Sequence, residues 1–375
     1  MIRALFRLFA GSIIAACVAC MPVPPAPMAS GAQPVVGSAA AQSCLGTFLS
    51  NVRVLSDSFA PQAGAIPPIG TPLSQNPSFT AGLTGAFNAA SPAFQQLLCS
   101  LNAVYISPIC QSGTGCTDFS NSWGWRRRVG ARGVRESYIA ISAGLWNEPN
   151  YSHYETDLLR STLAQNSASP LNTIAYSNAK SCSPVGSANC LSVDTLAMTL
   201  LAAIAHEVGH VRWYVLVDPN FPDGNSLALR CQGGGDFFGG SWKGAPHHPP
   251  GSGAEWRAFS MWSERITNPD HWPDRHTLPP DIADIDQTSG DLSLVVKLLA
   301  PDHPWPTALA ASAPDEDFVE TYKFKVLTTA NPPLNSMILT IPANPQKTYN
   351  IPLDYFTSGA RPELTRKVNC IPDTF

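Results

Sequence analysis

Two histidines and a glutamate stand close together in the middle of the apolar segment AAIAHEVGHVRWY, residues 202–214. His206 and His210 are four positions apart, so an α-helix would place both on one face, one turn apart. Glu207 directly follows the first histidine. Ionisable side chains are rarely buried unless they are paired or bound to a metal. The segment must therefore meet one of these two conditions.

The spacing matches the H-E-x-x-H pattern of zinc hydrolases. Imidazole nitrogens at these two positions can both reach one zinc ion at about 2.0–2.1 Å. The Glu207 carboxylate would take a proton from the water that attacks a carbonyl and pass it to the leaving amine. We therefore predict Zn²⁺ as cofactor, His206 and His210 as its ligands, and Glu207 as the general base. The alternative is a chance match on a helix whose polar groups have other partners.

A catalytic zinc ion needs a third protein ligand and keeps one position open for water. The metzincin pattern would require glycine and histidine at positions 213 and 216, where this chain has Trp213 and Leu216. The other common solution is a glutamate on a second helix. The segment PDEDFVETY offers Glu316 and Glu320, four positions apart. One carboxylate can bind the metal while the other holds the free nitrogen of a ligand histidine.

The two segments together resemble the gluzincin zinc peptidases. The second motif of that family is E-x-x-(small)-(acidic), and EDFVE at 316–320 is similar to it, with Val319 where the family usually has alanine or serine. The resemblance implies that Glu316 is the third zinc ligand and that Glu320 is the acid that holds a ligand histidine. The segment YIAISAGLW, residues 138–146, is similar to the strand that precedes the active-site helix in the CAAX-protease-like branch. That resemblance implies an edge strand that binds extended substrate.

Other acidic residues compete for the role of third ligand. Asp315, Glu316 and Asp317 would also be favoured in the first turn of a helix by its dipole, without any metal. Glu255 and Glu264 are alternative ligands on a preceding predicted helix, although neither lies in the second-motif frame. These alternatives stay open at the level of sequence.

Several further side chains have weaker claims on the site. His247 and His248 could touch a metal, but they lie in a Pro/Gly-rich loop that is more typical of a surface. The developing negative charge in this chemistry needs a hydrogen-bond donor. Tyr322 is a candidate oxyanion stabiliser, with His276 and His303 as alternatives, and no sequence pattern selects among them.

The segments that must position these residues predict an α+β fold. The longest helical pattern runs from Leu191 to Val217. A second runs from Pro314 to Thr329, and its own first turn is acidic. Residues 138–146 and 336–355 have strand-like patterns. Three shorter segments have helical patterns: 91–107, 157–164 and 254–266. The resemblance implies a zincin-like arrangement, in which the active-site helix packs on a small mixed sheet and a mainly helical second lobe carries Glu316.

The amino terminus has the features of an export signal. Residues 1–17 combine two arginines with a short apolar run and end in IAAC, which is similar to a bacterial lipobox with Cys17 as the lipidated residue. An ordinary secretory signal is the alternative, and Cys20 is a weaker attachment point. Residues 18–43 are uncharged and rich in proline and alanine, which predicts a tether. The metallopeptidase-like domain would then be 44–375, with a long loop at about 218–253.

Cysteine usage agrees with export. Eight cysteines remain beyond Cys17 and Cys20, and an even number in an exported chain favours disulfides. Two pairs are close enough in sequence to close small loops, which are Cys110 with Cys116 and Cys182 with Cys190. The remaining residues would then pair as Cys44 with Cys99 and Cys231 with Cys370, although sequence alone leaves the connectivity open.

The composition limits the partners. Charged residues are 13% of the chain and the formal net charge is −4, so nothing predicts a basic face for nucleic acid. We expect a zinc-dependent endopeptidase that is lipid-anchored in a bacterial cell envelope, faces the periplasm or the exterior, and acts on protein or peptide substrates. One alternative is a non-catalytic envelope binding or scaffold protein with a structural or lost zinc site. The other is a zinc amidase that acts on cell-wall peptide.

Overall fold

A computed structural model describes fourteen segments of the chain, all within one unit, Ala39–Phe375. The segments are 39–56, 69–108, 122–129, 134–163, 173–183, 189–216, 229–231, 234–238, 242–243, 259–260, 305–311, 314–341, 346–353 and 362–372. Several predicted features lie outside the described residues: the lipobox with Cys17, most of the loop 218–253, and the candidate residues Cys20, Cys110, Cys116, His247, His248, Glu255, Glu264, His276 and His303.

Seven α-helices lie in the described part of the chain. They are α1 Ala39–Ser50, α2 Thr80–Ala89, α3 Pro92–Ser100, α4 Tyr151–Leu163, α5 Leu196–Leu216, α6 Pro314–Thr328 and α7 Pro362–Cys370.

The described strands form three sheets. The first, in the order β2-β1-β3-β5-β4, contains β1 Val52–Val54, β2 Thr71–Pro72, β3 Ala103–Ser107, β4 Trp123–Val129 and β5 Val134–Ser142. The second, in the order β11-β10-β6-β7, contains β6 Ala175–Cys182, β7 Cys190–Ser192, β10 Ser336–Ile341 and β11 Lys347–Pro352. The third pairs β8 Trp242–Lys243 with β9 Phe259–Ser260.

This architecture confirms the α+β prediction at the level of fold class. The first sheet is mixed, because β1, β3 and β5 are parallel while β2 and β4 pair antiparallel to their neighbours. The second sheet is antiparallel throughout. The helix that carries Glu316, α6, is followed in the described chain by β10 and β11 of the second sheet.

The central element of the core is α5. Its buried residues lie on every side of the helix, and a helix that is apolar all round is expected to be buried. It packs against α2, α6, β4 and β5. The buried apolar residues of α5 are Met198, Leu200, Leu201, Ala202, Ala203, Ile204, Ala205, Val208, Val211 and Trp213. This burial makes the ionisable residues of the same helix the unusual feature of the fold.

Three predicted elements differ from the structure. The helix predicted over 91–107 ends at Ser100, and its second half is strand β3, which is buried at every position. A short, continuous apolar run fits a buried parallel strand as well as a helix, so periodicity could not separate them. The predicted tether overlaps α1, which begins at Ala39. The described residues within the predicted helix 254–266, Phe259 and Ser260, form strand β9.

The expected substrate-binding edge strand was also placed wrongly. The segment 138–146 is strand only as far as Ser142, and a 3₁₀ turn, Ala143–Asn147, follows it. This strand, β5, lies between β3 and β4 and pairs with both. The outer strand on this side of the first sheet is therefore β4.

Three disulfides join the described residues: Cys44–Cys99, Cys182–Cys190 and Cys231–Cys370. These three pairs match the pairing considered from the sequence. They link α1 to α3, β6 to β7, and Cys231 to α7 covalently. Disulfides on this scale are typical of proteins in an oxidising compartment. Among the described residues, no helix is both long enough and apolar enough to cross a membrane.

Candidate metal centre

Helices α5 and α6 bring three predicted ligands to one place. The Nε2 atom of His206 lies 3.7 Å from Oε2 of Glu316, and Nε2 of His210 lies 3.7 Å from Oε1 of the same carboxylate. Ligand atoms of the three residues all lie within 4.8 Å of one another. Helix α5 therefore directs two imidazoles, and helix α6 one carboxylate, toward a common point.

The donor set fits zinc. Ligand atoms about 2.0–2.2 Å from a tetrahedral ion are about 3.3–3.6 Å apart, which is close to the 3.7 Å measured between each histidine nitrogen and its Glu316 oxygen. Two imidazoles with one carboxylate is a ligand set that catalytic zinc sites use. The exposed fractions are 13% for His206, 18% for His210 and 11% for Glu316, so the donors are shielded but remain accessible.

The fourth predicted residue, Glu320, lies behind His206. Its Oε1 is 2.8 Å from Nδ1 of His206, a hydrogen-bond distance, although the two residues are 114 positions apart in sequence. A proton on Nδ1 leaves Nε2 with the lone pair that a metal requires. This contact therefore orients the ring with Nε2 toward Glu316 and His210.

The electrostatics of the centre favour a cation. Burial lowers the pKa of His206, but the hydrogen bond to Glu320 and the charges of Glu207 and Glu316 raise it to about 9. Burial raises the pKa of Glu320, but the positive charge of Lys323 and the hydrogen bond with His206 bring it below its usual range. The site thus holds a proton tightly when no metal competes, which is the behaviour expected of a site built for positive charge.

Glu207 lies beside these donors and is 4% exposed. Its Oε2 atom is buried and has no hydrogen-bond partner among the described residues. Burial raises the pKa of Glu207 to about 8, against the lowering effect of a charged His206. A buried carboxylate oxygen without such a bond is costly for stability alone, so the position suits a group that exchanges a proton with a bound molecule.

Gly209 permits the close crossing of α5 and α6. A Cβ atom at this position would lie 3.1 Å from both Cα and Cγ1 of Val319 and 3.3 Å from its carbonyl oxygen. Val319 is larger than the residue that the gluzincin pattern has here, and the missing side chain of Gly209 provides the space for it. The crossing brings Glu316, one turn before Val319, to the histidines.

The outer strand β4 passes directly over the same turn of α5. A Cβ on Gly124 would overlap the carbonyl oxygen of Glu207 and would lie 2.9 Å from Cβ of His210. The backbone of β4 can approach the helix this closely because Gly124 has no side chain. The backbone of a strand therefore lies directly beside the turn of α5 that carries Glu207 and His210.

Tyr322, the candidate oxyanion stabiliser, packs in the core. Its ring is 6.2 Å from the ring of Phe94, and the guanidinium of Arg212 lies 5.9 Å from its centroid. The side chain is almost fully buried among these groups. These contacts belong to the packing of α3, α5 and α6, so we leave Tyr322 out of the proposed mechanism.

Three residues of the centre were not identified from the sequence. Thr307 donates a 2.6 Å hydrogen bond to Oε2 of Glu320, and Lys323 contacts both Glu320 and Glu155. A lysine three positions after a glutamate on the same helix was an available signal for Lys323. Glu155 is 168 positions from Lys323, and no local pattern connects them.

A second group of possible metal donors lies at the start of α4. Nδ1 of His153 is 2.6 Å from Oε2 of Glu148 and 3.5 Å from Oδ2 of Asp157. Both carboxylates face the same ring nitrogen, and the histidine side chain is 48% exposed. This arrangement is that of a surface histidine that contacts two acidic side chains rather than of donors that surround an ion.

No protein-family model, curated protein or solved structure matches this chain.

Proposed function

We propose that this chain is a zinc-dependent peptide hydrolase with a zincin-like arrangement around its active-site helix. His206, His210 and Glu316 would hold the ion, and Glu207 would be the general base. The observation that carries the proposal is the convergence of these three donors from α5 and α6, within 4.8 Å of one another. A zinc ion bound there would polarise the substrate carbonyl and lower the pKa of a water molecule.

Glu207 is the residue that would move the proton. Its buried Oε2 would accept a proton from the attacking water and return it to the nitrogen of the leaving group. Burial raises the pKa of Glu207 to about 8, so the carboxylate form that a base requires depends on positive charge beside it. Glu207 would therefore be an effective base only in the metal-loaded site.

Glu320 and Thr307 would keep His206 in the required tautomer. Glu320 accepts at Oε1 from His206, while Thr307 donates to its Oε2. With both oxygens engaged, the carboxylate has little freedom to rotate, and Nε2 of His206 stays available as a ligand.

The position of β4 supports an extended peptide as substrate. In the described sheet β4 pairs with β5 on one side, and Gly124 brings the backbone of β4 against the main-chain carbonyl of Glu207. A peptide that added to the outer side of β4 as a further strand would form main-chain hydrogen bonds and would pass beside the general base. Main-chain binding of this kind selects extended polypeptides over small amides.

The number of donors in the described part of the chain matches that of a catalytic zinc site. Structural zinc is usually closed by four protein ligands, whereas catalytic zinc has three and an open position. Among the described residues the group consists of His206, His210 and Glu316. Three donors are the number that the hydrolase proposal requires, and a fourth protein ligand, such as His247 from outside the described residues, would instead indicate a structural clip.

We also propose that the protein acts outside the cytoplasm, anchored to a bacterial membrane through lipidated Cys17. The support is the lipobox-like segment IAAC together with the three disulfides of the described domain.

The decisive experiment compares zinc content and peptide hydrolysis in the full-length protein and in Glu207→Gln. We expect about one zinc per chain in both, with kcat lower by about 10²–10⁴-fold in the variant, because a general base is lost. Glu363→Gln is the control, since Glu363 is a half-exposed residue of α7 that pairs with Arg366. A zinc-free parent, or a Glu207→Gln variant with parental turnover, would refute the proposal. Parallel assays on cell-wall peptides would separate the amidase alternative.

A further inference from the structure

A buried lysine lies behind the metal centre. Nζ of Lys323 is 2.8 Å from Oε1 of Glu155 and 2.9 Å from Oε2 of Glu320. The exposed fractions of the three side chains are 0%, 3% and 0%. Two carboxylates and one ammonium group are thus shielded from water at the junction of α4 and α6.

The two oxygens of Glu320 have different partners. Oε1 faces Nδ1 of His206, whereas Oε2 accepts hydrogen bonds from Lys323 and Thr307. Because a carboxylate is rigid and planar, fixing Oε2 also fixes the direction of Oε1. The orientation of the His206 ring therefore depends on groups that do not touch it.

Glu155 fixes the lysine in turn. It accepts from Lys323 and, at 3.1 Å, from the hydroxyl of Tyr151 on the same helix. Burial lowers the pKa of Lys323, but the charges of Glu155 and Glu320 raise it above its usual value, so the group is a cation. A continuous set of contacts runs from Tyr151 through Glu155, Lys323 and Glu320 to His206.

We infer that Lys323 is a positioning residue for the metal centre: through Glu320 it holds the His206 ring in the orientation that binds zinc. This inference rests on the proposed function, because it concerns the affinity of the same site. It adds a residue whose hydrogen bonds go to Glu155 and Glu320 rather than to the three proposed metal ligands. Changes in the partners of a ligand histidine typically weaken metal binding by about 10–100-fold.

The competing explanation is purely structural, with Lys323 present only to neutralise Glu155. The double variant Glu155→Gln/Lys323→Met separates the two explanations. It removes one negative and one positive charge, so the formal charge of the core is unchanged, and both replacements are close in size to the originals. It also removes the Lys323 ammonium group that donates a hydrogen bond to Glu320. A structural role predicts parental zinc affinity in this variant, and a positioning role predicts weakened affinity.

The same helix offers a matched control. Lys367 of α7 lies 2.5 Å from Oδ2 of Asp317, and both side chains are fully buried. The double variant Asp317→Asn/Lys367→Met removes an equivalent buried pair, next to Glu316 in sequence but without a hydrogen bond to Glu320 among those described. A general loosening of α6 would weaken zinc binding in both double variants.

The measurement is the zinc dissociation constant of the full-length protein by competition with a chromogenic chelator. Thermal unfolding of the metal-free forms serves as the folding check. We expect the constant to rise about 10–100-fold in Glu155→Gln/Lys323→Met and to stay near the parental value in the control. Parental affinity in the first variant, or equal weakening in both, would overturn the role of Lys323.

Two other results can arise: a double variant that does not fold, and a parent protein that binds no zinc. If the first double variant does not fold, Thr307→Val decides, because it removes a hydrogen bond to the same Oε2 without removing a charge. Weaker zinc binding then supports control of the His206 ring through Oε2 of Glu320, on which the role of Lys323 depends, and unchanged binding refutes that control. A parent protein that binds no zinc would instead refute the metal centre itself, and the parent alone reveals that result.

Discussion

Replacing Gly209 with alanine tests whether the α5–α6 crossing positions Glu316. The new Cβ would lie 3.1 Å from Cα and Cγ1 of Val319, a few tenths of an ångström inside ordinary contact, which starts at 3.4 Å. The Cγ1 atom can move by side-chain rotation, but Cα belongs to the backbone of α6. We therefore expect α6 to shift away from α5, and Glu316, one turn before Val319, to shift with it.

Two opposing effects set the change in stability. Alanine in place of glycine stabilises a helix interior by about 1 kcal/mol, whereas overpacking of a tight core typically costs about 1–3 kcal/mol. The net effect of Gly209→Ala is a loss of about 0–2 kcal/mol in the free energy of unfolding. Gly46→Ala in α1 is the matched control, because a Cβ there has no described neighbour within 4 Å. The control should gain up to about 1 kcal/mol.

The assays are urea denaturation of the metal-free proteins and zinc titration of each variant. We expect the two alanine variants to differ by about 1–3 kcal/mol, with weaker zinc binding in Gly209→Ala alone. If Gly209→Ala gains as much stability as Gly46→Ala and binds zinc like the parent, the crossing does not position Glu316 as the structure indicates.

Two further predictions concern the frame around the site. Asn335 accepts from the backbone N–H of Cys182 at 2.8 Å and donates to its carbonyl at 2.9 Å, and it is buried. Asn335→Ala should lower the free energy of unfolding by about 2–3 kcal/mol. The control is Asn350→Ala, at an exposed position of β11, which should change the free energy of unfolding by less than about 0.5 kcal/mol. Equal losses for the two variants in urea denaturation would contradict this prediction. Replacing both cysteines of Cys231–Cys370, which spans 139 positions, by serine should cost more than the same change at Cys182–Cys190, which spans 8. Loop-closure entropy gives about 5 against about 2.5 kcal/mol, and the reverse order in calorimetry would contradict that argument.

Local spacing in the sequence was enough to predict the helices that carry the candidate site. The helical segment predicted over 191–217 is α5, Leu196–Leu216, and the one over 314–329 is α6, Pro314–Thr328. The i, i+4 relation of His206 and His210 follows directly once α5 is a helix, because it depends on the helical repeat alone. The α+β class followed in the same way from patterns along single segments.

Pairing between distant segments could not be predicted from those patterns. The run AVYIS at 103–107 fits a helix or a buried strand equally well, and only its neighbours β1 and β5 make it a strand. The edge strand was placed at β5 because nothing in the sequence indicated that residues 123–129 pair outside it. Strand order is set by contacts between strands, and the sequence of a single strand does not indicate which strands lie beside it.

What the sequence determined by itself was therefore the chemistry available on each helix: the imidazoles of His206 and His210 with the carboxylate of Glu207 on α5, and the carboxylates of Glu316 and Glu320 on α6. The tertiary structure decided that these side chains lie close together, because α5 and α6 cross at Gly209 and Val319. The structure also decided which groups surround Glu320, since Glu155 and Lys323 are 168 positions apart. The physical reason is that helical periodicity acts over a few residues, whereas the shape of the core and the burial of charge depend on the whole chain at once.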